Sequence, residues 1–311
     1  MPPPTAVADI LSSLHHLPLL RRARIDMRRG KTPPARLLIG IGQMHPVSRG
    51  RFERFQAGKI AKIQTWIFRC CSLLRHTWDI RTFGQEGLSL PGGGRELARL
   101  DPQFLADAKR DIGADPDGYL RRAARQWRVA VHRNRQDDIG ITSLRLNGLT
   151  VLQALDSGVA IFPIEQRDVH GAVGAAVAQL QAHASAIESS AAFQSAVAKQ
   201  GRRLSQQELQ VVQLRNAVAK EFRRMLSHPE RDRAIFRNVL EHARRTPVTV
   251  FILGQGHRPG MLRLAREFLP DDMAFLWITP PSLWWWRAMT RRTLWLLAAM
   301  IIAAGVWTTF F

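Results

Sequence analysis

Two histidines occupy the same four-residue setting in distant parts of the chain, Gly42-Gln43-Met44-His45 and Gly254-Gln255-Gly256-His257. Imidazole and carboxylate together suit a divalent first-row metal. Two nitrogens with one or two oxygens leave positions open for water or substrate. An ion held this way lowers the pKa of its bound water and polarises a carbonyl. Without an ion, a histidine beside a carboxylate can still work as a general base.

For two residues so far apart to cooperate, the fold must bring them to one edge. Each motif ends a short apolar run, residues 37–41 and 248–253, that reads as a buried strand. Open α/β sheets assemble ligand sites just beyond the carboxyl ends of their strands. In all, strands are predicted at 36–41, 79–83, 158–164, 248–253 and 273–278. The residues just past them form one candidate set: His45, Gln85, Glu86, Glu165, Asp168 and His257.

Between the first two strands, apolar residues from Phe55 to Leu74 recur at helical spacing, giving a helix over 52–78. If the flanking strands are parallel, the crossover is right-handed and both strand ends share one edge. Helical patterning also covers 96–134, with a turn at Asp115-Pro116-Asp117-Gly118, and 144–155. A long Ala- and Gln-rich helical region spans 172–244, broken near Gly201 and restarted by the capping box Ser205-Gln206-Gln207-Glu208. A short helix over 261–268 precedes the last strand.

The expected class is therefore α/β: a mixed, mainly parallel sheet with large helical insertions, followed by a C-terminal transmembrane helix. Residues 1–34 read as a loose N-terminal lead-in with one short helix, 35–281 as the α/β domain, and 282–311 as a membrane anchor. The anchor rests on Thr293 to Phe311, which carry no charge and as a helix would span roughly 28 Å, close to the bilayer hydrocarbon. Trp284-Trp285-Trp286 and Arg287, Arg291 and Arg292 precede it, as expected of a headgroup layer and a cytoplasmic flank. The preceding domain is accordingly placed in the cytoplasm.

The 311 residues carry a formal charge of +20, yet no nucleic-acid partner is expected. The basic residues are nearly all arginine, scattered along helical stretches, and Tyr119 is the only tyrosine, so no RNA-binding aromatic signature accompanies them. The adjacent Cys70 and Cys71 fall in a helical pattern and read as buried packing, because neighbouring cysteines rarely satisfy disulfide geometry.

The segments LLIGIGQMHPVS, RTFGQEGLS and VFILGQGHRPGML resemble the TraB/PrgY/TIKI family and the related erythromycin-esterase and ChaN-like proteins. The third is closest, with its apolar strand, Gly-x-x-His, Pro-Gly and short helix. Arg215-Asn216 resembles an Arg-Asn pair in the family's last long helix. Gln43 departs from the family pattern, where a small hydroxyl residue is frequent. The resemblance implies a pocket built by both histidines and the glutamate and, in some members, metal-dependent peptidase activity. Carried onto this chain, His45, Glu86 and His257 become ligands of a divalent metal (Mn, Co or Zn). Glu86 is also a candidate water-activating base, His45 and His257 are candidate catalytic bases, and Arg215 is an anion or oxyanion stabiliser.

Three functions follow as expectations. The first is a membrane-anchored, metal-dependent hydrolase acting on a peptide or small molecule. The second is a non-catalytic regulatory or ligand-binding protein on the same scaffold, with haem or a peptide signal among its ligands. The third is a basic membrane-surface adaptor, which requires the arginines to cluster on one face. Oligomeric state is not legible in the sequence.

Overall fold

A computed structural model describes residues 7–44, 53–86, 101–133, 136–164, 167–199, 203–226 and 229–283. In chain order the elements are α1 (Val7–Ser13), β1 (Arg24–Arg29), β2 (Arg36–Gln43), α2 (Glu53–Trp78), β3 (Thr82–Gln85), α3 (Pro102–Ile112), α4 (Pro116–His132), α5 (Gln136–Arg145), α6 (Gly148–Leu155) and β4 (Ala160–Pro163). They continue with α7 (Arg167–Glu188), α8 (Ala191–Ala198), α9 (Gln206–Leu226), α10 (Pro229–Ala243), β5 (Val248–Gly254), α11 (Arg258–Phe268) and β6 (Met273–Thr279). One turn of 3-10 helix, Gln255–His257, joins β5 to α11.

The six strands form one sheet in the order β1-β6-β2-β5-β3-β4, parallel except for β1, which runs antiparallel to β6. β2 and β5 are neighbours in register, with Gln43 opposite Gly254. Gln43 and Gly254 therefore close adjacent strands at the same edge of the sheet.

Both faces of the central strands are buried, so they read as unbroken apolar runs instead of alternating ones. Odd-numbered side chains of β2 (Leu37, Ile39, Ile41) join Val250, Ile252, Leu276 and Ile278 beneath α2 and α6. Leu38, Phe251, Leu253, Phe275 and Trp277 point to the opposite face and pack under α10 and α11. The outer surface of α2 carries a third cluster, in which Ala57, Ile60 and Ala61 meet Leu120, Trp127 and Val131 of α4. Cys70 and Cys71 are free thiols inside the first cluster, and burial raises the pKa of both, that of Cys70 to about 12.

One expectation is corrected. Residues 24–29, read as part of a loose lead-in, form the edge strand β1. Its sequence, RIDMRR, is mostly charged because an edge strand buries only part of itself. The pattern of Ile25 and Met27 is too short to stand out. The 96–134 helical stretch divides into α3 and α4 at Gly113, which has φ +54°, with Asp115 capping α4 through the Gly118 amide. The 144–155 stretch divides at Asn147, which caps α6, and 172–244 is four helices. The capping box forms as read: Ser205 Oγ accepts from the Glu208 amide at 3.3 Å, and Glu208 accepts from the Ser205 amide at 2.7 Å. Among the described residues no helix is long and apolar enough to cross a membrane; 293–311 lie outside them.

Candidate functional site

Glu86 and His257, each chosen for standing just beyond a strand, meet in space. Glu86 follows β3, and its amide continues the ladder by donating to the Ile252 carbonyl at 3.2 Å. In the alternation of a strand, Glu86 falls on the same side as Gly84, toward α10 and α11. There His257, closing the 3-10 turn, presents Nε2 to Glu86 Oε1 at 3.3 Å. Both residues are buried, 3% and 4% exposed.

The first turn of α10 supplies two further buried groups. Arg231 Nη2 donates to Glu86 Oε1 at 2.6 Å, and Asp232 Oδ1 lies 2.5 Å from His257 Nδ1. The second oxygen of Glu86 accepts from the Gly254 amide at 2.6 Å. Two carboxylates thus face an arginine and an imidazole, and the cluster balances when the imidazole is protonated. Burial by itself would lower the pKa of His257. Asp232 and Glu86, hydrogen-bonded to its two nitrogens, outweigh that and raise it to about 9.

Gly260, in the Pro-Gly step after His257, makes the approach of α10 possible. A Cβ there would collide with Asp232 Oδ2. Asp232 also sits near the positive end of α10, where the helix dipole favours a carboxylate.

Comparison with family models, with curated proteins and with solved structures finds no match. What the site can hold is therefore argued from its own donors. Metal-binding histidines usually give their second ring N–H to a carboxylate, as His257 does to Asp232. Two donors sharing a tetrahedral ion at about 2.0–2.2 Å stand about 3.3 Å apart, which suits Nε2 and Glu86 Oε1. Arg231 on the same oxygen opposes a cation electrostatically. Among the described residues, no three His, Cys, Asp or Glu side chains are grouped to hold an ion. The described cluster thus offers two fitting donors and needs a third.

The other candidates are distributed as follows. His45 and Glu165 lie outside the described residues. Asp168 and His170 fall in the first turn of α7. Gln85 is buried, and among the described residues its Oε1 has no hydrogen-bond partner. Arg215, on α9, is not brought to Glu86 by any described contact; its Nε pairs with Glu188 of α7 at 2.6 Å, and both side chains are partly exposed. Among the described contacts, it is Arg231 that reaches Glu86.

Nothing in the sequence marks Arg231 or Asp232 as part of a site. Both belong to a charged run, Glu230-Arg231-Asp232-Arg233, that reads as a solvated helix start. The available signal was Pro229 followed by acids in a first turn, which marks the start of a helix but says nothing of burial.

Proposed function

We propose that this chain is a membrane-anchored hydrolase of the TraB/PrgY/TIKI type, acting on a peptide or small-molecule substrate, with residues 293–311 as its membrane span. The observation that carries the reading is His257, held by Asp232 at one nitrogen and turned toward Glu86 at the other. His257, on giving up its Nε2 proton, and Glu86, with His45, would hold a divalent ion. The ion would supply a water of lowered pKa and a polarised substrate carbonyl.

The chain's own groups have separable tasks. Asp232 fixes the ring orientation of His257 and keeps the proton on Nδ1. Arg231 and the Gly254 amide hold the Glu86 carboxylate in place. His45 stands two residues beyond Gln43, which pairs with Gly254. That chain connection supports its inclusion.

One observation favours the non-catalytic reading. Both oxygens of Glu86 are already engaged by Arg231, His257 and a backbone amide, so the carboxylate is not free as a base. On that reading the site binds a ligand such as haem through histidine, and Glu86 is structural.

Metal analysis of the full chain after exposure to Mn, Co or Zn separates the two. The hydrolase reading expects about one ion per chain, lost in both His257→Ala and Glu86→Gln. Folded wild type without stoichiometric metal, or with a Soret band that survives Glu86→Gln, would reject it.

A further inference from the structure

The exposed side of α4 has a charge arrangement that folding does not explain. Arg121, Arg125 and Arg128 recur at i, i+4 and i+7 and so form one stripe. Lys62 of α2 faces them across a groove of about 530 Å³. Like charges at this spacing destabilise a helix, and a solvated helix ordinarily alternates them with acids. Among the described residues, Lys62, Arg125 and Arg128 have no carboxylate partner, and Arg121 approaches Asp115 only at 4.0 Å between well-exposed side chains.

The groove is open as well as basic. Its floor is made of small residues, and a Cβ on Gly58 would meet nothing within 4 Å. On the other flank of α4 a second groove of about 470 Å³ brings in Arg133 and Arg145. Between these cations stand two exposed apolar side chains, Val129 and Ile141, 42% and 43% accessible. Arginines surrounding protruding apolar side chains are what a surface lying on anionic lipid presents.

We propose that this face of α4, with the groove against α2, docks on anionic phospholipid headgroups. The lipid phosphates take the guanidinium forks and Lys62, and Val129 and Ile141 enter the acyl boundary. Charge complementarity selects this occupant, because a neutral or cationic partner would leave the stripe uncompensated. The inference does not depend on the His257 cluster.

The test uses the full chain with Val129→Cys carrying an environment-sensitive fluorophore; the native Cys70 and Cys71 are fully buried. Vesicles of phosphatidylcholine alone are compared with vesicles containing phosphatidylglycerol. The expected result is a blue shift on the anionic vesicles, with affinity about tenfold or more above that for neutral ones and falling with salt. Arg125→Glu/Arg128→Glu should lose that preference, and Arg125→Gln/Arg128→Gln should lose part of it while far-UV circular dichroism stays unchanged. An equal shift on neutral vesicles would overturn the proposal, since a hydrophobic anchor alone would then account for it. So would retention of the preference by the charge-reversed protein. Saturable binding of pyrophosphate or of RNA at this groove, with no response to anionic vesicles, would also overturn it and assign the stripe to a soluble ligand.

Discussion

Gln255, from the second Gly-x-x-His motif, lies across Gly42 of the first. A Cβ on Gly42 would fall on the Gln255 Oε1. That oxygen accepts from Trp277 Nε1 at 3.3 Å, while Gln255 Nε2 donates to Thr279 at 3.2 Å. The two motifs are therefore interlocked through their own residues. The glycine of one is the space occupied by the second residue of the other.

Gly42→Ala should accordingly displace Gln255 and break its bonds to Trp277 and Thr279, costing about 1–3 kcal/mol, as overpacking of a tight site does. Gly256→Ala is the matched control, because a Cβ there meets nothing within 4 Å and its φ is not positive. Urea denaturation of the two variants should show a lowered midpoint for the first and an unchanged one for the second.

The Glu86–Arg231 pair is buried on both sides, so removing one partner leaves an uncompensated charge. Arg231→Met should cost about 3–5 kcal/mol. Replacing both residues with apolar ones of similar volume should recover much of that loss. A double variant as unstable as the single one would show that the pair is not the source of the cost.

Protonated His257 couples stability to pH. Its folded pKa of about 9 lies above the ordinary value of 6.5. The contribution is therefore complete below about pH 6.5 and lost as pH rises to about 9. Its size is on the order of 3 kcal/mol. Wild type should lose stability across that window and His257→Gln should not, as read from thermal midpoints at matched ionic strength.

Glu208 acts with the opposite sign. Lys199, then the Ser195 hydroxyl and the Ser205 amide, hold its carboxylate at a pKa of about 2, below the usual 4.5. Its contribution is present above about pH 4.5 and lost as pH falls toward 2. Hydrogen exchange in α8 and the start of α9 should accelerate over that range, and Glu208→Gln should make it fast already at neutral pH.

The parts of the fold that were legible are those whose burial leaves a simple mark. β2, β5 and β6 are apolar on both faces, and α2 repeats its apolar residues along most of its 26 residues. β1 was not legible, since an edge strand with four charged residues out of six resembles a loop. In the site, Glu86 and His257 could be chosen because strand ends are visible in sequence. Arg231 and Asp232 could not, because a charged first turn looks the same whether it faces water or a histidine. Only the family resemblance points to Arg215, and its side chain meets Glu188.

The strand order has a consequence for the nascent chain. Among the described residues β2 is hydrogen-bonded only to β5 and β6, which are made some two hundred residues later, and β1 waits for β6 as well. While the ribosome synthesises the intervening helices, Leu37, Leu38, Ile39 and Ile41 have no strand to join. Only β3 and β4 can pair before then. A chain released before residue 248 would therefore expose an apolar strand with both edges open, a template for aggregation and a substrate for chaperones.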